Sequence, residues 1–218
     1  MEFLKVLYNK RKEELYMKVL VTGFEPFNGE TINPSFEAIK MLPDEVEGAK
    51  IIKAKLPTVF RKSLCELEEL ISKENPDIVI CVGQAAGRSK ISIERVAINI
   101  DDAEINDNEG NKPKDEKIFV DGENAYFSNL PIKLMVKTIK EHNIPAEISN
   151  SAGTYVCNHV FYGLMYLIDK KFKNLKGGFI HVPFSHNQVL EKKNVPSMSL
   201  EDITNGLFYA IKGVLSEK

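Results

Sequence analysis

The sequence predicts an α/β protein in which a mostly parallel, twisted sheet is covered by helices on both faces. Short apolar runs, typical of buried strands, alternate along the chain with amphipathic segments of helical periodicity. This alternation continues without an internal repeat, a low-complexity tract or a linker. Alternating strands and helices favour a parallel sheet with a helical layer on each side. The length of 218 residues suits a single domain of this kind.

The first half of the chain supplies three of the predicted strands and two of the helices. Strands are predicted at 17–23, 50–56 and 77–83, and helices at 34–42 and 58–73. The loop after the first strand contains Phe24 and Phe27, at the end of a strand where open α/β sheets bind ligands. Coverage of the core is an equally good interpretation of both rings. The segment GQAAGRSK lacks the spacing of a phosphate-binding loop, so nucleotide binding is not favoured there.

The second half continues the pattern with a strand at 91–100, a helix at 131–142, strands at 146–150 and 177–182, and a final helix at 199–215. In the strand at 91–100, Glu94 and Arg95 lie on opposite faces among apolar residues. A buried carboxylate is costly unless a cation or several donors meet it. Glu94 is therefore either half of a structural ion pair or a group that orients a histidine. The polar segment 101–117 is predicted to be a surface loop that covers or borders a site.

Composition excludes some classes of partner. Hydrophobic residues make up 43% of the chain and charged residues 28%, and the net charge is −2. These values give no general attraction to nucleic acid or to an anionic membrane, and we expect neither as a partner. The three cysteines, Cys65, Cys81 and Cys157, have no metal-ligand spacing, so we expect no metal site and a reducing, cytoplasmic setting.

Residues 1–16 are predicted to be a peripheral N-terminal extension. They mix basic and acidic side chains and contain neither a long apolar core nor a small-residue cleavage site, so neither a signal peptide nor a membrane anchor is indicated. The segment is either a short peripheral helix or an extension upstream of a natural start at Met17. Residues 17–218 are predicted to form one domain.

The segment 149–163 is predicted to place Cys157 at the start of a helix. Small and polar residues form a turn, and apolar residues then recur at helical spacing. A thiol at a helix N-terminus faces unpaired N–H groups and the positive end of the helix dipole, which favour the thiolate. We therefore expect Cys157 to be the most easily ionised of the three cysteines. The alternative is a small buried hydrophobe, which is the more common role of a free cysteine.

A nucleophilic cysteine needs a histidine to exchange a proton and a third group to orient the ring. His181, near the end of a predicted strand, is the best candidate for the base. His159 lies two residues beyond Cys157 on one helix and is expected to point elsewhere, and His142 ends an exposed helix. His186 is the rival base, because loops at strand ends also hold catalytic groups.

Four blocks of sequence resemble the signature blocks of the pyrrolidone-carboxylate peptidase family, the cysteine-type pyroglutamyl peptidases. The blocks are VTGFEPFNGETINPS, GQAAGRSKISIERVAIN, SNSAGTYVCNHVFYGLM and GFIHVPF. They occur in the family's order and spacing, and the resemblance extends from Met17 to the last helix. It implies a catalytic triad of Glu94, Cys157 and His181 in a single-domain three-layer α/β/α sandwich. It also implies a cytoplasmic enzyme that needs no cofactor and forms a homotetramer.

The activity implied by the resemblance is hydrolysis of the N-terminal pyroglutamyl (5-oxoprolyl) residue of peptides through a thioacyl-enzyme. Cys157 would be the nucleophile, His181 the general acid and base, and Glu94 the group that orients the imidazole. By the same implication, five side chains form the substrate pocket: the ring clamp Phe24 and Phe27, the wall Val156, and the lactam contacts Asn33 and Gln84.

The chain departs from the family pattern at Glu104, where the family commonly has arginine after the letters DDA. The change reverses a charge beside the predicted site, and Arg88 or Arg95 could compensate for it. Two other functions stay open. One is a module that binds lactam-like or nucleoside-like ligands without turnover, because doubly wound folds serve many functions. The other is a hydrolase of the same architecture that acts on a different small amide.

Overall fold

The computed structural model describes residues 16–217. The strands in this part of the chain are β1 (Lys18–Phe24), β2 (Glu45–Val46), β3 (Ala49–Leu56), β4 (Ile78–Gln84), β5 (Ile91–Glu94), β6 (Val96–Ile98), β7 (Ala125–Phe127), β8 (Ala146–Ser149), β9 (Lys176–Val182), β10 (Phe184–Ser185) and β11 (Ser197–Met198). The α-helices are α1 (Pro34–Met41), α2 (Lys62–Glu74), α3 (Ile132–Glu141), α4 (Val156–Lys170) and α5 (Leu200–Leu215). Apart from Tyr16, the predicted N-terminal extension lies outside the described residues.

A seven-stranded sheet in the order β2-β3-β1-β4-β9-β5-β8 forms the centre of the molecule. Strands β3, β1, β4 and β9 run parallel to one another. Strand β5 pairs antiparallel with β9 and parallel with β8, so β5 and β8 run in the opposite direction. The sheet is therefore mostly parallel, as the sequence predicted, but its direction changes between β9 and β5.

Apolar side chains pack against both faces of this sheet. Helices α1, α3 and α5 cover one face, where Ile39, Met135 and Ile211 are buried in one cluster. Helices α2 and α4 cover the other face, where Leu67 and Phe161 belong to a second cluster. The predicted three-layer α/β/α sandwich is confirmed. Among the helices of residues 16–217, none has the length and apolar character that a bilayer span requires.

Most predicted elements are confirmed to within one or two residues, but the helix predicted from Thr58 begins only at Lys62. Side-chain hydrogen bonds hold the preceding residues in a turn. The Thr58 hydroxyl donates to the carbonyl of Glu25 over 2.9 Å, and the Phe60 N–H donates to the Asp107 carboxylate over 2.9 Å. These contacts come from distant parts of the chain, so helical periodicity alone placed the boundary too early.

The prediction of one strand over 91–100 is wrong, because the chain leaves the central sheet at Arg95. Strand β5 pairs with β8 and β9, whereas β6 pairs with β7 in a separate ribbon. The Arg95 N–H donates to the carbonyl of Ser149 over 2.9 Å, and the Arg95 carbonyl accepts from the N–H of Ser128 over 2.9 Å. Before Arg95 the chain pairs with β8 and β9 of the central sheet, and after Arg95 it pairs with β7.

The layer assignment predicts a large loss of stability for Leu67→Ala. Leu67 has no exposed surface, so its truncation leaves a cavity between α2 and the sheet and should lower the free energy of unfolding by about 2–5 kcal/mol. Urea denaturation measures this change. The control is Leu190→Ala, at a side chain that is 77% exposed, for which we expect a change within about 0.5 kcal/mol. Equal effects of the two substitutions would contradict the assignment.

Candidate active site

A pocket of about 280 Å³ opens where β1, β4 and β9 end, beside the first residues of α4. This is the edge of a doubly wound sheet at which ligands commonly bind. Of the eight residues that the sequence and the resemblance nominated, all but Glu94 line the pocket: Phe24, Phe27, Asn33, Gln84, Val156, Cys157 and His181. The fold therefore brings together residues from four segments of the chain: 24–33, the end of β4, the start of α4 and the end of β9.

Cys157 is the second residue of α4 and is partly exposed in the pocket. The residue before the helix, Tyr155, makes no side-chain hydrogen bond that caps it. The first N–H groups of a helix have no partner within the helix, so those around Cys157 are available to a ligand. The predicted placement of this thiol at a helix N-terminus is confirmed.

Gly83 makes room for the sulfur atom. It lies beside His181 in the register of β4 and β9. A Cβ atom at Gly83 would lie 2.7 Å from Sγ of Cys157 and 2.9 Å from the ring of Phe179. The thiol therefore occupies the space above a glycine that neighbours the histidine. Sequence reasoning missed this residue, although a glycine at the end of the apolar run DIVICVG was the available signal.

His181 is held by Glu94 from the neighbouring strand. Ser92 lies opposite His181 in the antiparallel pair of β5 and β9, and Glu94, two residues further on, projects from the same face. Nδ1 of His181 and Oε1 of Glu94 are 2.7 Å apart. Because a carboxylate accepts, Nδ1 carries the proton and Nε2 is the nitrogen left for chemistry.

Arg88 is the cation that meets the buried carboxylate. Its Nη1 lies 2.7 Å from Oε1 of Glu94, which has no exposed surface. Both sequence interpretations of Glu94 therefore hold at once, since it forms an ion pair and also contacts a histidine. Glu104 is exposed, and neither it nor Arg95 lines the pocket.

The pKa values of the thiol and the imidazole correct one expectation. Burial raises the pKa of Cys157 to about 12, and the charge of Glu94 adds to this effect. Burial also raises the pKa of Cys81 to about 12. The expected ease of ionisation of Cys157 is therefore not supported, because desolvation of the sulfur opposes the effect of the helix terminus. Burial lowers the pKa of His181 as well, so sulfur and ring are both neutral near pH 7.

The two loop phenylalanines form part of the apolar wall. Phe24 is buried and also packs on Phe179, with ring centroids 6.3 Å apart, so it contributes to the core and to the pocket at once. Phe27 packs on Tyr155 with centroids 6.0 Å apart. Val156, the first residue of α4, is fully buried and lines the same pocket.

Asn33 lines the pocket, but most of its hydrogen-bonding capacity is used by the fold. Its Oδ1 accepts from the N–H of Ser35 over 3.2 Å and from the Ser35 hydroxyl over 2.8 Å, which caps α1. Its Nδ2 donates to the carbonyl of Glu25 over 3.0 Å. One N–H of the amide is left for a ligand.

Gln84 has more capacity to offer a ligand than Asn33. Its Oε1 accepts from Nε2 of Gln188 over 2.9 Å. This contact fixes the orientation of the side chain and leaves its own NH₂ group for the pocket. Gln84 is thus the better donor for a carbonyl oxygen.

Tyr155 lines the pocket and was also missed by sequence reasoning. Its ring packs edge-on against Phe60, with centroids 5.3 Å apart, and its hydroxyl donates to the carbonyl of Asn106 over 3.0 Å. Burial raises the pKa of Tyr155 to about 12, so the hydroxyl stays protonated and keeps this bond. The polar segment 101–117 thus contacts a pocket residue through Asn106, although none of its residues lines the pocket.

The remaining histidines lie outside the pocket. His159 points away from it, as expected: its Nδ1 lies 2.8 Å from Oδ2 of Asp101 and its Nε2 accepts from the N–H of Arg61 over 3.0 Å. His186 is exposed, and its Nδ1 contacts the Ser197 hydroxyl over 2.9 Å. Its placement gives no support to His186 as the base. In residues 16–217, no three His, Cys, Asp or Glu side chains come together as a group that could hold a metal ion.

A cysteine at a helix N-terminus, a histidine and a buried carboxylate at one edge of an α/β sheet form the arrangement of the cysteine–histidine–carboxylate class of hydrolases. Comparison with known proteins gives the particular family. A family model described as pyroglutamyl peptidase matches residues 17–217. The chain belongs to this family of hydrolases.

Similar proteins agree with the family match. A pyrrolidone-carboxylate peptidase of Thermosipho africanus is 71% identical over 201 residues, which are 92% of this chain and 98% of that protein. One from Clostridium perfringens is 60% identical over 199 residues, covering 91% of this chain and 93% of that protein. The crystal structure of pyroglutamyl peptidase I from Bacillus amyloliquefaciens superposes with a TM-score of 0.90 at 51% identity and covers 93% of this chain and 97% of its own.

The environment of His181 predicts a low midpoint for its titration. Burial lowers its pKa from the ordinary 6.5, so the ring should stay neutral until the pH falls below that value. Nuclear magnetic resonance of the ring protons measures the midpoint, and only four histidines have to be distinguished. His181→Gln identifies the resonance, and exposed His186 serves as the internal comparison. A midpoint for His181 above 6.5 would contradict the neutral state.

Proposed function

We propose that this chain is a cysteine exopeptidase that hydrolyses the N-terminal pyroglutamyl residue of peptides through a thioacyl-enzyme. The observation that supports this most strongly is the placement of His181 between buried Glu94 and the pocket that Cys157 faces. The names of the relatives, pyrrolidone-carboxylate peptidase, supply the substrate class. The substrate partners would be peptides that begin with pyroglutamate.

The first chemical step is attack of the Cys157 sulfur on the carbonyl carbon of the pyroglutamyl residue. Because the thiol and His181 are both neutral at rest, Nε2 of His181 takes the thiol proton as the carbon–sulfur bond forms. The expected attack by a preformed thiolate is thereby replaced by general-base catalysis. Glu94 keeps the ring oriented and stabilises the imidazolium that forms.

The carbonyl oxygen acquires negative charge in this step. The N–H groups in the first turn of α4 have no partner in the helix, and a helix N-terminus favours an anion. We place the oxyanion there, beside Cys157. Donors of this kind are fixed before the reaction begins, so they stabilise the transition state without reorganising.

Collapse of the tetrahedral intermediate breaks the amide bond. The His181 imidazolium gives its proton to the leaving amine, which departs as the shortened peptide, and the pyroglutamyl group remains on Cys157 as a thioester. His181 then takes a proton from water as the water attacks the thioester carbon, and its return of that proton to sulfur releases pyroglutamate.

The pocket suits a small uncharged lactam. Phe24, Phe27 and Val156 provide apolar surface, while the NH₂ group of Gln84 and one N–H of Asn33 are the donors for the lactam carbonyl. An ordinary N-terminus carries an ammonium, and to bury it here without a partner would cost several kcal/mol. Selectivity would thus come mostly from the rejection of charge.

The remaining expectations from the resemblance are part of the same proposal. We place the enzyme in the cytoplasm, where its free cysteines would stay reduced, and we assign residues 17–218 to one peptidase domain, with 1–16 as an extension outside it. We also propose a homotetramer. Exposed apolar side chains such as Val120, at 87%, and Phe127, at 66%, are surfaces that association would cover.

A chromogenic pyroglutamyl amide tests the activity and the nucleophile. The wild-type protein should release the chromophore, and Cys157→Ala should reduce the rate by at least about 10³-fold because no thioester can form. Cys65→Ala is the matched control, since Cys65 is an exposed cysteine outside the pocket, and its rate should equal that of the wild type. Release by Cys157→Ala at the wild-type rate would refute the role of the thiol.

The same assay separates the alternatives from the proposed activity. Prolyl and glutamyl amides carry a charged N-terminus and should be cleaved much more slowly than the pyroglutamyl amide. A faster reaction with either would indicate a hydrolase of different specificity. Binding of pyroglutamate without turnover of any amide would indicate a binding module.

Gly83→Ala tests the space that the fold reserves for sulfur. The added methyl group would meet Sγ of Cys157 and the ring of Phe179, so the thiol must move. A displacement of about 1 Å from the productive geometry costs on the order of 10²-fold in rate, and kcat/KM should fall by that amount. The control Ser89→Ala alters an exposed residue six positions further along the chain, in the segment after β4 and outside the pocket lining. Wild-type kcat/KM in Gly83→Ala would contradict the close approach.

A further inference from the structure

Arg88 connects the two halves of the site. It lies in the segment between β4 and β5, and its guanidinium makes two contacts through different nitrogens. Nη1 lies 2.7 Å from Oε1 of Glu94, and Nη2 donates to the carbonyl of Ser151 over 2.9 Å. The first contact reaches the partner of His181. The second reaches the loop that leads into α4 and so to Cys157.

Through its contact with Glu94, Arg88 shares the negative charge of the carboxylate with His181. Oε1 of Glu94 accepts hydrogen bonds from both Nδ1 of His181 and Nη1 of Arg88, and the carboxylate has no exposed surface. Without Arg88, the imidazolium of His181 would be the only cation beside this charge and would be stabilised by it. A permanently protonated ring cannot accept the proton of the thiol.

The contact with Ser151 fixes the loop before the helix. The Ser151 carbonyl also accepts from the Ser149 hydroxyl over 3.1 Å, and the Ser151 hydroxyl accepts from the N–H of Gly153 over 3.2 Å. Gly153 has a φ of 77°, a conformation that favours glycine. Arg88 therefore holds a tightly turned loop at a fixed distance from Glu94.

We propose that Arg88 is a positioning residue that shares the Glu94 carboxylate with His181 and joins the Glu94–His181 pair to the loop that leads to Cys157. The guanidinium has a two-point geometry that a lysine cannot reproduce. This inference rests on the proposed function for its kinetic readout, but the titration of His181 tests it without any substrate.

The charged and titratable groups around His181 come from three elements. Glu94 faces it from β5, Arg88 from the segment before β5, and Cys157 from α4. Lys90, two residues after Arg88, instead pairs at the surface with Glu147 over 3.1 Å. Lys90→Ala removes a cation and an ion pair from the same segment, so it is the matched control.

The experiment compares the wild type, Arg88→Ala, Arg88→Lys and Lys90→Ala. Two quantities are measured: the titration midpoint of His181 by nuclear magnetic resonance, and the pH profile of kcat/KM with a pyroglutamyl amide. In Arg88→Ala, both the midpoint and the acid limb should rise by about one pH unit, and kcat/KM at the optimum should fall about 10- to 100-fold. Arg88→Lys should keep the midpoint near that of the wild type but lose part of kcat/KM, because the charge remains while the Ser151 contact is lost.

Lys90→Ala should leave both quantities unchanged. A lower kcat/KM in Arg88→Ala with an unchanged His181 midpoint would show a purely structural role and overturn the charge argument. Wild-type kcat/KM in Arg88→Lys would overturn the positioning argument, and that variant decides the case if Arg88→Ala does not fold. Absence of activity in the wild type would refute the proposed function, while the midpoints would still test Arg88.

Discussion

Glu94 is a carboxylate without exposed surface in a sheet of apolar side chains, and its charge has to be met from within the protein. One oxygen of this carboxylate, Oε1, contacts both His181 and Arg88. Burial of a charge costs several kcal/mol unless such partners are present. The hydrogen bond to His181 therefore depends on the neighbouring cation, and the orientation of the imidazole depends on both. The other parts of the site are arranged around this contact.

The change of strand direction between β9 and β5 makes the contact possible. In an antiparallel pair, Ser92 lies opposite His181, and Glu94 is the next residue on the same face. On the other side of β9, the parallel pairing with β4 places Gly83 beside His181. The carboxylate and the space for the thiol are thus fixed on opposite sides of the histidine by the register of the sheet rather than by mobile loops. Rigid elements hold catalytic geometry better than loops do.

Much of the fold could be predicted from the sequence, because strand and helix periodicities reflect burial directly. The site residues could be nominated as well: Cys157 at a helix start, Glu94 among apolar strand residues and His181 near a strand end, with the resemblance to a known family implying the pocket residues. The exit of the chain from the central sheet at Arg95 could not be predicted. It depends on backbone hydrogen bonds to Ser149 and Ser128, which are contacts between distant segments. The raised pKa of Cys157 could not be predicted from the sequence either. A helix N-terminus is visible in a pattern, whereas the desolvation that opposes it depends on how completely the surrounding chain encloses the sulfur.

The proposed mechanism requires that Cys157 form a thioester with the pyroglutamyl group while His181 transfers the protons. Its most direct test is mass spectrometry of protein quenched in acid during turnover of a pyroglutamyl ester, followed by peptide mapping. We expect a pyroglutamyl adduct on the peptide that contains Cys157, and no adduct in Cys157→Ala. Rapid turnover by the wild-type protein with the acyl group on another residue would contradict it.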